Sequence, residues 1–338
     1  MNERIAYIDY SKAMAIILVV TGHILFFNIF NQDAEKADML LIEKILKSVQ
    51  MPLFIFCSGL VMKNSDITLR ETLLDIYKRF RLLIVPFLVI GISFALISDK
   101  TPADFLSKGM KLGYWYLLTL FELYLLHNIY LHISKIWKSR RTSMLFDLLL
   151  GGVIYVIIYK IYSGKEADEI CWQNTLSWLQ LVRYYPYYFL AVITRKYNIL
   201  DVIISNKWIY CFSLCTCIVI LYANEHNIHI FGRSFILPIA LLITIMHMMK
   251  LVAQTDIVVV KRLLNYVGKK TLDIYLFHYF VLTSFPMPYI AGVLEKNNGI
   301  VFSLILIMPL VMVTIAFSLA MGKIFRSSKI INNLIFYR

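Results

Sequence analysis

Apolar runs of roughly twenty residues, separated by short polar breaks, constrain this chain more than any other feature of its sequence. A helix rises about 1.5 Å per residue, so a run of that length crosses about 30 Å of hydrocarbon. Hydrophobic residues make up 59% of the 338 positions, more than a soluble core of this size could bury. We therefore predict an all-α, polytopic membrane protein with about ten transmembrane helices in one bundle. The predicted spans lie near 6–29, 46–63, 80–98, 114–134, 144–163, 177–194, 208–223, 231–249, 271–291 and 300–322.

The positive charges are distributed unevenly between the two sides of these spans. If the N-terminus is cytoplasmic, 22 of the 34 Lys and Arg residues lie on that side, as the positive-inside rule requires. An even number of spans then returns the C-terminus to the same side. We expect a protein of the bacterial inner membrane with both termini in the cytoplasm. No basic run is interleaved with aromatic residues, which argues against a nucleic-acid partner despite the net charge of +13.

No linker rich in Pro, Gly or Ser and no repeat divides the chain, so we predict a single transmembrane domain over residues 1–338. The first span keeps Asp9, Lys12 and His23 within it, which is unlike a cleaved signal peptide. The five Cys residues show no metal-ligand spacing with His, and no metal is expected. We expect any chemistry to come from side chains in or beside the bilayer, with lipids as partners and the oligomeric state left open.

Three ionisable residues of the first span form what we call the polar stripe: Asp9, Lys12 and His23. Eleven residues turn a helix by about 1100°, so Lys12 and His23 share one face, about 16 Å apart along the axis. Charged groups at membrane depth are costly and usually mark function. The alternative is structural: Asp9 and Lys12 form an interfacial pair, and His23 bonds a neighbouring helix.

A cluster of basic residues precedes the apolar run of the third span. The second span contains a pair of small residues, and the fourth begins with a pair of aromatic residues. Arg79 and Arg81, with Lys78 beside them, have the spacing to grip phosphates through charge-assisted bonds, although topology alone also favours basic residues there. Ser58 and the glycine after it allow close helix approach. Trp115 and Tyr116 fit an aromatic belt at the outer interface; these alternatives stay open from the residues alone.

Ionisable residues recur in later spans. Glu122 needs a partner at membrane depth, for which Lys12, Arg183 and His278 are candidates. Arg183 is expected inside the membrane, either as a site residue or as a buried guanidinium that bonds helix carbonyls or a carboxylate. Tyr275 and His278 are separated by three positions and share one helix face, either as a site or as a contact between helices.

Taken in order, these segments resemble acyltransferase family 3, a family of membrane acyltransferases, over nearly the whole chain. Two positions depart from its pattern: Lys12 stands where most members have Arg, and Ala191 stands where Gly is usual. Stand-alone polysaccharide and fucose O-acetylase-like members are the most similar in character. The segments that carry the resemblance are IDYSKAMAIILVVTGHI, MPLFIFCSGL, KRFRLLIVPF, GYWYLL, RYYPYYFLA and TLDIYLFH.

The resemblance implies an O-acyltransferase, O-acetyl transfer being the most frequent case, with acetyl-CoA as the co-substrate and a saccharide as the acceptor. The acyl group would pass from cytoplasmic acyl-CoA to a hydroxyl of a cell-surface polysaccharide or a lipid-linked sugar. A transporter or flippase of a lipid-linked saccharide, or a non-catalytic assembly factor, would also fit the composition. The residues and the resemblance together give these candidates: His23, Asp9, Lys12 and Glu122 for catalysis, Lys78, Arg79 and Arg81 for the acyl-CoA, and Ser58, Trp115, Tyr116, Arg183, Tyr275 and His278 for substrate binding or support.

Overall fold

A computed structural model describes residues 6–25, 37–62, 68–136, 143–162, 171–285 and 300–336, and this described part is helical without strands. Residues 1–5, 26–36, 63–67, 137–142, 163–170, 286–299 and 337–338, which include the predicted span ends 26–29 and 286–291, lie outside it. In chain order the helices are α1 (Ala6–His23), α2 (Ala37–Leu60), α3 (Leu69–Arg79), α4 (Val85–Ile97), α5 (Pro102–Ser107), α6 (Trp115–Ile136), α7 (Met144–Ile161), α8 (Cys171–Thr175), α9 (Trp178–Lys196), α10 (Leu200–Ser205), α11 (Lys207–Glu225), α12 (Arg233–Gln254), α13 (Val258–Lys269), α14 (Thr271–Thr283), α15 (Ile300–Ser327) and α16 (Lys329–Ile331).

Each predicted span overlaps one of these helices, which confirms the all-α class but not the count of about ten spans. Within the described residues, five helical stretches are both long enough and apolar enough to cross a membrane. Asp9 in α1 and Glu122 in α6 lower the mean hydropathy of two of the other predicted spans, and the described helix of the ninth span, α14, is only 13 residues long. The five stretches are Leu69–Ile97, Met144–Ile161, Lys207–Glu225, Arg233–Gln254 and Ile307–Ser327.

The third predicted span begins earlier than the sequence indicated, because α3, a π-helical turn (Phe80–Ile84) and α4 form one continuous helix. A capping box starts it: the Thr68 side chain accepts from the Glu71 backbone N–H, and the Glu71 carboxylate accepts from the Thr68 N–H. Pro86 has no N–H to donate to the preceding turn, which accounts for the wider π turn before α4. The basic cluster therefore lies within a helix and not in a loop.

The chain divides into two compact units, residues 1–57 with 199–322 and residues 58–198 with 323–338, and the division falls within α2. The prediction of a single domain over the whole chain stays a prediction. In the first unit, α1 packs against α12, α13 and α14, and most of its side chains are buried. In the second unit, α6 and α7 pack against α9 and against each other, and the π turn packs against α6.

Candidate active site

His23 is the last residue of α1, where the first unit brings it against α14. The Nε2 atom of His23 lies 3.0 Å from the Tyr279 hydroxyl, and the two rings lie 4.9 Å apart. The His278 ring stacks on His23 with centroids 5.2 Å apart and an interplanar angle of 28°. We call these three residues the histidine cluster. It joins the first and ninth predicted spans, a contact that the sequence analysis did not predict.

The protonation of His278 follows from its partners. Its Nδ1 atom lies 2.8 Å from the Tyr275 carbonyl oxygen and 3.1 Å from that of Ile274. A carbonyl oxygen only accepts hydrogen bonds, so Nδ1 carries the hydrogen and the neutral ring has its lone pair on Nε2. That Nε2 atom is buried and bonds to none of the described residues. The lone pair of His278 Nε2 thus accepts no hydrogen bond from the part of the chain that the structure describes.

Two polar residues of this region, Tyr279 and Gln50, were not among the site residues predicted from the sequence. Tyr279 directly follows His278, which is the only signal that marked it. Gln50 of α2 is a polar residue inside a predicted span, and its Oε1 atom is buried without a hydrogen-bond partner in the described part of the chain. A Cβ added to Gly22 would lie 2.7 Å from that Oε1 atom, so Gln50 packs beside the turn that carries His23.

The remaining members of the polar stripe lie at the other end of α1. The helix is continuous over its 18 residues, so the spacing argument for a shared face holds. Asp9 is 3% exposed and Lys12 is partly buried. The backbone carbonyl of Asp9 lies against Gly268 of α13, where an added Cβ would be only 2.0 Å from the oxygen. Asp9 is therefore fixed in the interior of the first unit.

A cleft of about 200 Å³ opens in the second unit and contains part of the basic cluster. Lys78 is exposed and Arg79 is half-buried, and both line the cleft. Two carboxylates, Glu71 and Asp75, lie there as well. The complete lining is Met62, Glu71, Leu74, Asp75, Lys78, Arg79, Tyr124, His127, Asn128 and Leu131.

The cleft orients Arg79 through Tyr124 of α6. The Arg79 guanidinium lies over the Tyr124 ring, 5.1 Å from its centroid, an arrangement of the cation–π type. The Tyr124 hydroxyl donates to the Asp75 carboxylate, which fixes the ring. Glu71 accepts from Thr68 at 2.7 and 2.8 Å, so each carboxylate already has a donor. Lys78 and Arg79 are the lysine and the arginine of this lining, and both can donate to an anionic ligand.

Arg81 is not part of this lining. Its Nη2 atom donates to the carbonyl oxygen of Asn333 at 2.9 Å, in the π-helical turn Asn332–Phe336 that packs on α4. Phe336 of that turn is 1% exposed, and the Arg326 guanidinium lies 3.8 Å from its ring centroid. The structure thus separates the two arginines that the sequence treated as a pair: one faces the cleft and the other holds the C-terminal turn.

The sequence profile of acyltransferase family 3, which is described as an acyltransferase domain, matches residues 5–331. The chain belongs to acyltransferase family 3. The family implies a membrane acyltransferase that uses an acyl donor and an acceptor. No curated protein and no solved structure matches the chain.

The family segments of the second unit meet at the end of α2. In this acyltransferase, Ser58 Oγ and the Tyr116 hydroxyl are hydrogen-bonded at 2.9 Å. A Cβ added to Gly59 would lie 2.6 Å from the Tyr188 carbonyl oxygen and 2.8 Å from the Ala191 Cβ, so the small-residue patch does allow α9 to approach closely. Ser58 and Gly59 of the second family segment therefore lie against Tyr116 and against Tyr188 and Ala191.

The aromatic and charged residues beside this contact differ in burial. Trp115 stacks on Tyr184 with centroids 5.1 Å apart and an angle of 11°. Arg183 is exposed in the second turn of α9, so the expectation of a buried guanidinium is wrong. The helix turns Tyr184 inward and Arg183 outward, since successive residues point about 100° apart.

Glu122 of this acyltransferase family member lies in α6. Both carboxylate oxygens are buried, and neither accepts a hydrogen bond from a described residue. Arg183, one of the three expected partners of Glu122, therefore does not bond to it in the described part of the second unit.

Tyr275 of α14, in the first unit, is buried, and its ring lies 5.9 Å from that of His278.

Proposed function

We propose that this acyltransferase is an O-acetyltransferase that moves the acetyl group of cytoplasmic acetyl-CoA to a hydroxyl of a cell-surface polysaccharide or a lipid-linked sugar. In this proposal it resides in the bacterial inner membrane with both termini in the cytoplasm. The observation that carries it is the histidine cluster, in which an imidazole of the family's first helix contacts a tyrosine hydroxyl and a second imidazole. Imidazole is the commonest general base in enzymes, and acyl transfer to a hydroxyl requires one.

His23 is the base in this mechanism. It accepts the proton of the acceptor hydroxyl while the hydroxyl oxygen attacks the carbonyl carbon of the thioester. The new C–O bond forms, the C–S bond breaks, and the proton passes from His23 to the departing sulfur of CoA. The products are an ester and free CoA, and no acyl-enzyme intermediate is required.

Lys78 and Arg79 bind the phosphates of the acyl-CoA in the cleft of the second unit. A guanidinium forms two parallel bonds with a phosphate, and an ammonium adds a point charge. The Tyr124 ring beneath Arg79 restricts that side chain before the ligand arrives, which lowers the entropy cost of binding. Asp9, Lys12 and Glu122 have supporting roles in this proposal, in which Asp9 and Lys12 maintain the charge balance at the inner end of the polar stripe.

Transfer of radiolabelled acetyl from acetyl-CoA to candidate glycans in isolated membranes tests this proposal. We expect His23→Ala to abolish transfer, whereas His229→Ala, which changes an exposed histidine outside the helices, should retain it. Transfer at a near wild-type rate by the His23→Ala protein would overturn the base assignment. Movement of a lipid-linked saccharide across the membrane without acetylation would instead identify a flippase.

A further inference from the structure

The contact between His23 and Tyr279 restricts which nitrogen of His23 can act as a base. The hydroxyl lies 3.0 Å from Nε2, and both residues belong to the first unit. A tyrosine hydroxyl both donates and accepts, so this contact has two possible arrangements. In one, the hydroxyl donates to the Nε2 lone pair. In the other, Nε2–H donates to the phenolic oxygen.

Only the second arrangement leaves His23 a base. A neutral imidazole has one N–H and one lone pair. If the lone pair on Nε2 accepts the tyrosine hydrogen, Nδ1 carries the other hydrogen and no nitrogen remains to take a proton from an acceptor hydroxyl. If Nε2–H donates to Tyr279, the lone pair lies on Nδ1, the nitrogen that can then accept a proton.

We propose that Tyr279 is a positioning residue, whose phenolic oxygen accepts the Nε2–H bond of His23 and so directs the basic Nδ1 atom towards the acceptor hydroxyl. This inference rests on the proposed function, because it takes His23 as the base. As His23 gains the acceptor's proton, the bond from Nε2–H becomes charge-assisted and roughly twice as strong. Tyr279 therefore stabilises the transition state more than the bound substrates.

The surroundings of His23 support an arrangement fixed by Tyr279. Two titratable groups that pack against His23 in the first unit are Tyr279 and His278, both of α14. His278 cannot donate from Nε2 while its Nδ1–H is bonded to backbone carbonyls. Gln50 of α2, beside Gly22, is uncharged. The Tyr279 hydroxyl is the group among these three that lies within hydrogen-bonding distance of the His23 ring, 3.0 Å from Nε2.

The test combines a spectroscopic and a kinetic measurement on the full chain in detergent. The ¹⁵N chemical shifts of histidine-labelled protein separate protonated from unprotonated ring nitrogens, and the His23→Ala protein assigns the His23 signals by difference. We expect the wild type at neutral pH to show a protonated Nε2 and an unprotonated Nδ1 at His23. A protonated Nδ1 would overturn the proposal without any reference to activity.

The kinetic arm uses Tyr279→Phe, which keeps the ring and removes the hydroxyl. Loss of one hydrogen bond that strengthens in the transition state should lower kcat by about tenfold to a hundredfold and leave KM for acetyl-CoA unchanged. Tyr266→Phe, which changes an exposed tyrosine of α13, is the matched control and should match the wild type. Full kcat in Tyr279→Phe, with His23→Ala inactive, would refute the positioning role alone. Activity in His23→Ala would refute the proposed base, and the positioning role with it.

Discussion

Gly268 of α13 lies directly against the backbone carbonyl of Asp9 in α1. A Cβ at position 268 would be 2.0 Å from that oxygen and 2.7 Å from the carbonyl carbon, far inside van der Waals contact. The two atoms that this Cβ would meet belong to the Asp9 backbone, so no side-chain rotation can relieve the overlap. The close approach of these helices, which holds the start of the His23-bearing helix in the first unit, therefore depends on the absence of a side chain.

Gly268→Ala should destabilise the protein. Alanine is favoured over glycine in a helix by about 1 kcal/mol, but forced overpacking costs about 1–3 kcal/mol, and here the rigid backbone places the cost at the upper end. We expect a lower thermal midpoint in detergent. Gly152→Ala in α7 is the matched control, because an added Cβ there meets no atom within 4 Å, and its midpoint should stay level or rise. Equal midpoints for the two variants would contradict the close contact.

The ion pair between Asp147 and Lys196 supports a second prediction. Lys196 Nζ lies 2.6 Å from Asp147 Oδ2, the Asp147 side chain is fully buried, and the Tyr197 hydroxyl donates to the same oxygen at 2.5 Å. Lys196→Met leaves the carboxylate buried without its cation, a change that costs about 3–5 kcal/mol. The double variant Asp147→Asn, Lys196→Met removes both charges and should recover part of the loss in thermal stability. A double variant less stable than Lys196→Met would show that the pair is not the source of the loss.

The sequence predicted the helical segments well because each is encoded locally, by apolar runs and their polar breaks. The uninterrupted α1 gives Asp9, Lys12 and His23 the common face that their spacing predicted. The partners of those residues depend instead on tertiary packing. Tyr279 is 256 positions from His23, and nothing local in either segment specifies that their side chains meet.

The basic cluster shows a second limit. Two arginines two positions apart predicted a paired phosphate grip, but the helix continues through both and they point about 200° apart around a regular helix. Arg81 instead donates to a backbone carbonyl 252 positions away. A backbone acceptor carries no side-chain identity, so no motif could have revealed it.

The hydrogen bond between Ser58 and Tyr116 should appear as a coupling between the two residues. Ser58→Ala, Tyr116→Phe and the double variant form a thermodynamic cycle in which we expect an interaction of about 1 kcal/mol in the free energy of unfolding. Ser58→Ala combined with Tyr155→Phe is the control, since the Tyr155 ring packs against those of Tyr159 and Tyr185, and its effects should add. Additivity in the Ser58 and Tyr116 cycle would mean that the 2.9 Å contact does not contribute to stability.

Arg79 and Arg81 should respond differently to the same substitution. Arg79→Gln removes a cation that lines the cleft and should raise KM for acetyl-CoA about tenfold, the loss of one charge-assisted contact, with little change in the thermal midpoint. Arg81→Gln should lower the midpoint, because the C-terminal turn loses its donor to Asn333, and leave KM within about twofold.

Comparing Arg79→Gln with Arg81→Gln distinguishes phosphate binding by Arg79 from a purely topological role of the basic cluster. If both arginines served only to orient the helix through the positive-inside rule, either substitution would affect membrane insertion and neither would change KM. If both gripped the phosphates, as the motif alone predicted, the two variants would raise KM alike. A larger rise in KM for Arg81→Gln than for Arg79→Gln would place the nucleotide outside the cleft, since only Arg79 and Lys78 of the basic cluster line it.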